Sequence, residues 1–303
     1  MLSAFPQIRI GNPIRHDRLS IFPLFADTLP AVEYVLGAEA LADGTVVVEE
    51  VGEAGTVDKL SVTNTNPFPV LFLEGEQLVG ALQNRMLNTS LLFAANSKGT
   101  IPVSCVEQGR WLFTSTDFES SNSFSTTKLR RVLKASVSDS INKGGGHESD
   151  QQLLWEEVAE SQQEHGVFSE TMSMEDTFDS RREKLAELQS QFGYVEGACG
   201  VAVALGKQVV ALDLFDKPAT CEKVWDRLLS GALLDSLVSK GTDELAETRD
   251  VETLLTELGA TAWQSAAPAG EGEEFRAATE GGTQASALCY TGRFVHGSAV
   301  AAV

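Results

Sequence analysis

Cysteine is scarce in this chain of 303 residues: four residues, Cys105, Cys199, Cys221 and Cys289, lie far apart. That excludes a disulfide framework and a Cys-x-x-Cys metal site. Histidine is equally rare. His16, His147, His165 and His296 stand alone, so no zinc-ligand spacing exists and no metal site is expected. No run of 18 apolar residues occurs, which excludes a transmembrane helix. The opening residues show no basic stretch followed by an apolar one, so no secretory leader is expected. Basic side chains are in short supply as well: 23 Lys and Arg face 43 Asp and Glu, for a formal charge of −20. Such a surface repels duplex nucleic acid and anionic membrane, so neither is an expected partner.

What is present is globular composition, 43% hydrophobic and 22% charged. The length suffices for one large domain or two ordinary ones. Together these predict a soluble, cytoplasmic protein; no cofactor and no oligomeric state can be read from them. The charge is uneven. Residues 1–140 carry 15 acidic and 11 basic side chains, residues 141–240 carry 18 and 9, and residues 241–303 carry 10 and 3. A small anionic, nucleotide-like ligand would therefore meet least repulsion in the first 140 residues.

Apolar, β-branched runs at Thr45–Val51, Val57–Thr63, Val70–Leu73, Met86–Ala94 and Thr100–Val106 are separated by Gly, Asn and Pro turns. They predict one β-rich core over residues 45–111, with Val70, Phe72, Leu91, Phe93 and Val103 buried. A strand is expected over residues 19–25 and a helix over 31–42, closed by Gly44. Residues 117–127, rich in Ser and Thr, read as a loop. Lys128–Ser140 reads as a helix carrying Arg130 and Arg131. The run from Asn142 to His147 reads as a flexible link, without the Lys-Ser/Thr of a phosphate loop. Beyond it, Ser149 with Gln152 spells a capping box, and Asp176–Gln191 a second helix. Strands at Gly197–Leu205 and Gln208–Phe215 meet at a Gly206-Lys207 turn. Thr220–Ser239 and Asp243–Leu258 have helical periodicity, and Trp225 and Leu229 should pack on the preceding strands. Three or four strands end the chain. The expected class is α+β: a β-rich sandwich or jelly-roll-like core with flanking helices and a C-terminal α+β part. The expected divisions are 1–140, 141–192 and 193–303, which could also be one continuous domain.

One segment of the β-rich region is densely polar. Leu73-Glu74-Gly75-Glu76-Gln77-Leu78-Val79-Gly80-Ala81-Leu82-Gln83-Asn84-Arg85 is followed by Ile101-Pro102-Val103-Ser104-Cys105-Val106-Glu107-Gln108-Gly109-Arg110-Trp111. Glu74 and Glu76 are two apart and would share a face of a strand. With Glu107 they could serve as acid, base or metal ligand. Arg85 and Arg110 could clamp phosphate through the guanidinium fork. Gln83, Asn84 and Asn88 suit hydroxyl recognition, and Trp111 suits stacking on a base. The same residues could equally be a structural network that pairs charges and satisfies backbone groups. If they form one cleft, three carboxylates meet two guanidiniums and one carboxylate is left over. Glu76 or Glu107 is the expected surplus, with Glu74 paired to an arginine.

The paired motifs resemble a domain family associated with ADP-ribosylglycohydrolases and rhodanese-like phosphatases. Agreement continues through Asp150-Gln151…Trp155 and Gly200…Phe215…Trp225, and covers most of residues 8–240. The resemblance implies a role close to NAD or ADP-ribose metabolism. Three readings stay open: an enzyme acting on such a nucleotide, a non-catalytic module binding it or another protein, and a structural role.

Overall fold

A computed structural model describes residues 6–26, 31–52, 54–239 and 244–301. It is an α+β fold built from three antiparallel-rich sheets and seven helices among these residues.

The β-rich core expected over residues 45–111 forms. Its strands are ordered Phe118–Phe124, Glu76–Gly80, Arg85–Leu87, Ser97–Cys105, Lys59–Asn64 and Val46–Glu50. An isolated bridge between Glu49 and Asp117 draws the two outer strands together, so the sheet curls into a half-barrel. Curling shields edges that would otherwise present unpaired backbone. Val70, Phe72, Leu91, Phe93 and Val103 are all buried in its core. A smaller sheet of Leu91–Phe93, Val70–Phe72 and Val35–Leu36 lies beside it.

The second half is a nine-stranded sheet that takes strands from both ends of the chain. Leu19–Ala26 pairs with Gly200–Leu205, which pairs with Gln208–Phe215, which pairs with Arg293–Val300. A division at residue 140 thus leaves part of this sheet on each side. Its two faces follow the two-residue period of a strand. Val201 and Val203 meet the helix Pro218–Ser236 through Val224, Trp225 and Leu229. Ala202 and Ala204 meet Val251, Leu254 and Leu258 of the helix Thr248–Ala260. Trp225 is buried and its indole N–H donates to the Phe192 carbonyl at 2.7 Å. No described helix is long and apolar enough to cross a membrane.

Several local expectations need correction. Residues 31–42 do not form one helix: Val35–Leu36 is a strand and only Gly37–Ala42 is helical. Leu36 has no side chain able to cap, and Gly37 lies where a Cβ would strike the Phe72 ring at 2.6 Å. Met86–Ala94 is two strands, Arg85–Leu87 and Leu91–Phe93, belonging to different sheets. Residues 117–127, expected as a loop, contain the strand Phe118–Phe124. Its serines mislead because Ser121 and Ser123 are buried along with Phe118 and Phe124, with Ser121 Oγ donating to the Glu175 carboxylate. Asp150, not Ser149, caps the helix Gln151–His165. Asp176–Gln191 is two helices, Met174–Ser180 and Arg182–Gln189, broken at Arg181. The last helix starts at Thr248, and Asp243 lies outside the described residues.

One helix positions most of the unusual chemistry. Thr127–Asn142 runs between the half-barrel and the large sheet, touching the strands Gln284–Tyr290 and Arg293–Val300. Its N-terminus is held by Thr126, which accepts from Leu129 N, and by buried Asp235, which accepts from Thr127 N and Oγ1.

Candidate functional site

The three carboxylates of the motif segment do not share a cleft. Each has its own cation, and two of those cations come from outside the segment. Glu74 is fully buried and accepts from Lys134 Nζ at 2.7 Å. Glu76 pairs with Arg227 at 3.0 Å, and its other oxygen accepts from Leu73 N at 2.8 Å. Glu107 pairs with Arg110 at 2.7 Å and also accepts from Asn84 N and Thr171 Oγ1. The expectation of one surplus carboxylate therefore fails, as does the pairing of Glu74 with an arginine. The count left out Lys134 and Arg227, which the helices Thr127–Asn142 and Pro218–Ser236 bring in.

Glu74 belongs to a sealed network. Lys134 Nζ also donates to Ser286 Oγ at 2.7 Å and Ser298 Oγ at 2.9 Å, which uses all three of its donors. One turn earlier on the same helix, Arg130 forms a two-pronged pair with Asp213 at 2.9 and 2.7 Å. His296 lies 3.4 Å from Asp213 and its Nδ1 is 2.9 Å from Ser90 Oγ. Nearby, Glu274 binds Arg276 and His147, each at 2.7 Å. Six formal charges, three of each sign, are thus buried between the two halves of the molecule. Burial drives the Lys134 ammonium down to about 8, against the pull of Glu74. Burial opposes ionisation of Asp213, but Arg130 and His296 outweigh it and hold the carboxyl below the usual range. His147 and Arg276 do the same for Glu274.

A second cluster sits nearer the surface. Gln83, Asn84, Arg85, Glu107, Arg110 and Trp111 do come together here. Gln83 Nε2 donates to the Glu107 carbonyl, and its Oε1 accepts from Arg85 Nη1 at 2.7 Å and from Cys105 Sγ at 3.1 Å. Asn84 Oδ1 accepts from Gly80 N and Arg110 Nη2, both at 3.1 Å. Arg110 donates further to the carbonyls of Gly80, Ala81 and Leu112, so its guanidinium is spent on tying down residues 80–112. Burial raises the cost of ionising Glu107, yet Arg110, Asn84 and Thr171 together hold its carboxyl below the ordinary range. Asn88 lies apart from this cluster. It donates to the His147 carbonyl and accepts from Ser104 Oγ, fastening the Gly-rich link expected to be free. Gln151 brackets the Cys105 peptide, accepting from its N–H and donating to its carbonyl, both at 2.8 Å.

Arg85 is held more loosely than the other motif cation, Arg110, which lies 2.7 Å from its carboxylate. Its side chain is wholly buried, and its nearest carboxylate is Glu50 at 3.6 Å. Nη1 is taken by Gln83 and Nη2 by the Thr56 carbonyl, which closes the fork expected to clamp phosphate. Over the guanidinium, at 5.6 Å, lies the ring of Trp111, which is 48% exposed. Leu112 and Phe113 continue the exposed apolar run. Phe168, 86% exposed, belongs to the neighbouring loop, which Gly109 joins through Thr171 at 2.7 Å. No group of three or more His, Cys, Asp or Glu able to hold a metal occurs among the described residues.

The residues that the sequence reading missed are Glu50, Lys134, Asp213 and Arg227. Arg130 and Lys134 carried a usable signal: four apart on one helix, they share a face. Glu50, at the end of an alternating strand, carried none.

No curated protein and no solved structure matches the chain. A family model does, over residues 7–300, so the match runs past residue 240 through the terminal strands. Both halves of the fold and the helix joining them lie within that span, and the chain belongs to the family of the ARG and Rhodanese-Phosphatase-superfamily-associated Protein domain, ARPP-1.

Proposed function

We propose that this chain is a cytoplasmic module that binds an ADP-ribose- or NAD-related nucleotide at the Trp111 surface without transforming it. The family's association with ADP-ribosylglycohydrolases supports the ligand class. One observation supports the absence of chemistry: Glu74, Glu76 and Glu107 are each tied to a separate cation, Lys134, Arg227 and Arg110. An acid–base pair needs two carboxyl groups with opposed protonation facing one substrate. Three ion pairs pointing to three partners do not supply that. Glu74, Glu76 and Glu107 are then structural, as are Asn84, Asn88 and Arg110. Trp111 offers a flat apolar face with a cation beneath it, the arrangement on which a base stacks.

The test is a fluorescence titration with ADP-ribose, followed by chromatography of the recovered ligand. Quenching in the wild type, lost in Trp111→Phe or reduced in proportion, with ligand recovered intact, is expected. Cleavage of the ligand by wild type but not by Glu107→Gln would overturn the reading.

Protein docking is a second reading of the same surface. Trp111, Leu112, Phe113 and Phe168 are exposed together on joined loops, and a cluster of large apolar side chains marks interaction sites.

A further inference from the structure

Glu50 lies outside both motifs, on the last position of the strand Val46–Glu50, yet it completes the cluster beneath Trp111. One of its oxygens accepts from Leu82 N at 3.3 Å and lies 3.6 Å from Arg85 Nη2. The other, Oε2, is buried and has no hydrogen-bond partner among the described residues, and neither has Arg85 Nε. Their side chains are 3% and 0% exposed. Both unpartnered atoms belong to side chains that border one indole. Gly55, at φ +67°, lies where a Cβ would stand 3.1 Å from Glu50 Oε2 and 3.4 Å from Trp111 Cζ2. The Arg85 guanidinium carbon is 5.6 Å from the ring centre. A side chain at residue 55 would therefore fill the space between carboxylate and indole, and the left-handed backbone there favours glycine.

Buried polar atoms are nearly always hydrogen-bonded, and one without a partner calls for an explanation. Here the two lone atoms are complementary: one accepts and one donates. Of the remaining nitrogens of Arg85, Nη1 donates to Gln83 Oε1 and Nη2 to the Thr56 carbonyl, and Gln83 Nε2 donates to the Glu107 carbonyl. The Glu50–Arg85 pair is neutral overall, so its field does not select an anion. We infer that Glu50 and Arg85 read the edge of a planar nitrogen heterocycle stacked against Trp111. Glu50 Oε2 accepts from an N–H on the ring's edge, and Arg85 Nε donates to an adjacent ring nitrogen or carbonyl. An adenine edge and a nicotinamide carboxamide both present that donor beside an acceptor. The ring enters by the face that the half-exposed indole covers. This inference rests on the nucleotide-binding reading above and gives the part of the ligand that the site recognises.

The experiment measures the shift in thermal midpoint of the full chain with four probes: ADP-ribose, adenine, nicotinamide and ribose 5-phosphate. It is run on wild type, Glu50→Gln and Trp111→Ala. Since Glu50 Oε1 already accepts from Leu82 N, Gln at this position turns an amide N–H toward the ligand and sets donor against donor. We expect a shift with ADP-ribose and with one free ring, and none with ribose 5-phosphate. The ring that responds identifies the source of the edge. Glu50→Gln should weaken ADP-ribose binding at least tenfold. Trp111→Ala, at an exposed position, should do the same and keeps the test open if Glu50→Gln does not fold. If ADP-ribose shifts wild type and both variants equally and neither ring acts alone, the edge is overturned while nucleotide binding stands. If a ring binds and ADP-ribose does not, nucleotide binding falls and the edge stands. No shift with any probe overturns both.

Discussion

Glu74, in the turn before the strand Glu76–Gly80, and Glu50, at the end of the strand Val46–Glu50, are both buried carboxylates beside a cation, yet their surroundings differ in kind. Glu74 faces Lys134, whose remaining donors go to Ser286 and Ser298, and the network continues through Arg130, Asp213 and His296. It joins the half-barrel to the large sheet and has no route to solvent through an exposed side chain. Glu50 faces Arg85 at a longer 3.6 Å, and an oxygen of the one and a nitrogen of the other are left without partners beneath an exposed indole. Desolvating a charge is costly unless pairing and hydrogen bonds compensate. The first cluster meets most of that condition from inside the chain, and the atoms it leaves without a partner among the described residues, Glu74 Oε1 and Arg130 Nε, lie on buried side chains away from any exposed ring. The second also meets it only in part, but it lies beneath an exposed side chain. Charge density in a sequence therefore does not locate a site. Incomplete pairing next to solvent is the better marker.

The comparison breaks most severely at Lys134. Lys134→Met leaves Glu74 buried without a counter-ion, and losing one partner of a buried pair costs about 3–5 kcal/mol. Chemical denaturation should show that loss; a change below about 1 kcal/mol would mean the network carries little of the joint between the halves. Arg110→Ala should be next. It removes hydrogen bonds to three carbonyls and the ion pair to Glu107, and bonds to a charged group are worth about 1.5–3 kcal/mol. The loss should appear in the same denaturation curves, with local exchange protection falling over residues 80–112.

A pH titration of stability sharpens the contrast. The Asp213 carboxyl is held below its unfolded value, so its contribution is present above about pH 4 and is lost as the pH falls further. Glu274 and Glu107 act in the same direction. Glu50 is pushed the other way, because burial outweighs Arg85, and it does not add to acid sensitivity. Asp213→Asn should thus flatten the fall in stability below about pH 4, whereas Glu50→Gln should leave that slope unchanged. Equal slopes in wild type and Asp213→Asn would remove Asp213 from the account of acid unfolding.

Much of the fold was legible because it follows from periodicity. The half-barrel strands, the 197–215 hairpin and the helix around Trp225 all carry a two- or 3.6-residue apolar pattern that their packing then uses. What failed was local chemistry overridden by tertiary context. The Ser-rich strand Phe118–Phe124 reads as a loop because only two phenylalanines mark its buried face. The helix over 31–42 shrank because Val35 and Leu36 found a parallel strand at Val70 and Leu71. The motif pattern puts Glu74, Glu76, Arg85, Glu107, Arg110 and Trp111 in one cleft; the structure brings Gln83, Arg85, Glu107, Arg110 and Trp111 together and takes Glu74 and Glu76 elsewhere. Its division into a sealed part and an open part was not legible. That division depends on Lys134, Arg227 and Glu50, whose sequence positions lie between 32 and 151 residues from their partners. No local pattern records such pairings.

Trp111→Ala carries the smallest expected effect on stability and the largest on binding. The side chain is 48% exposed, so the free-energy change of folding should stay within about 0.5 kcal/mol. The most direct measurement is the denaturation of wild type and Trp111→Ala with and without ADP-ribose. A ligand present at a hundred times its dissociation constant stabilises the folded state by about 2.7 kcal/mol. For wild type the two curves should separate by that amount, and for Trp111→Ala they should coincide. The same separation in both proteins would contradict the assignment of binding to the open cluster.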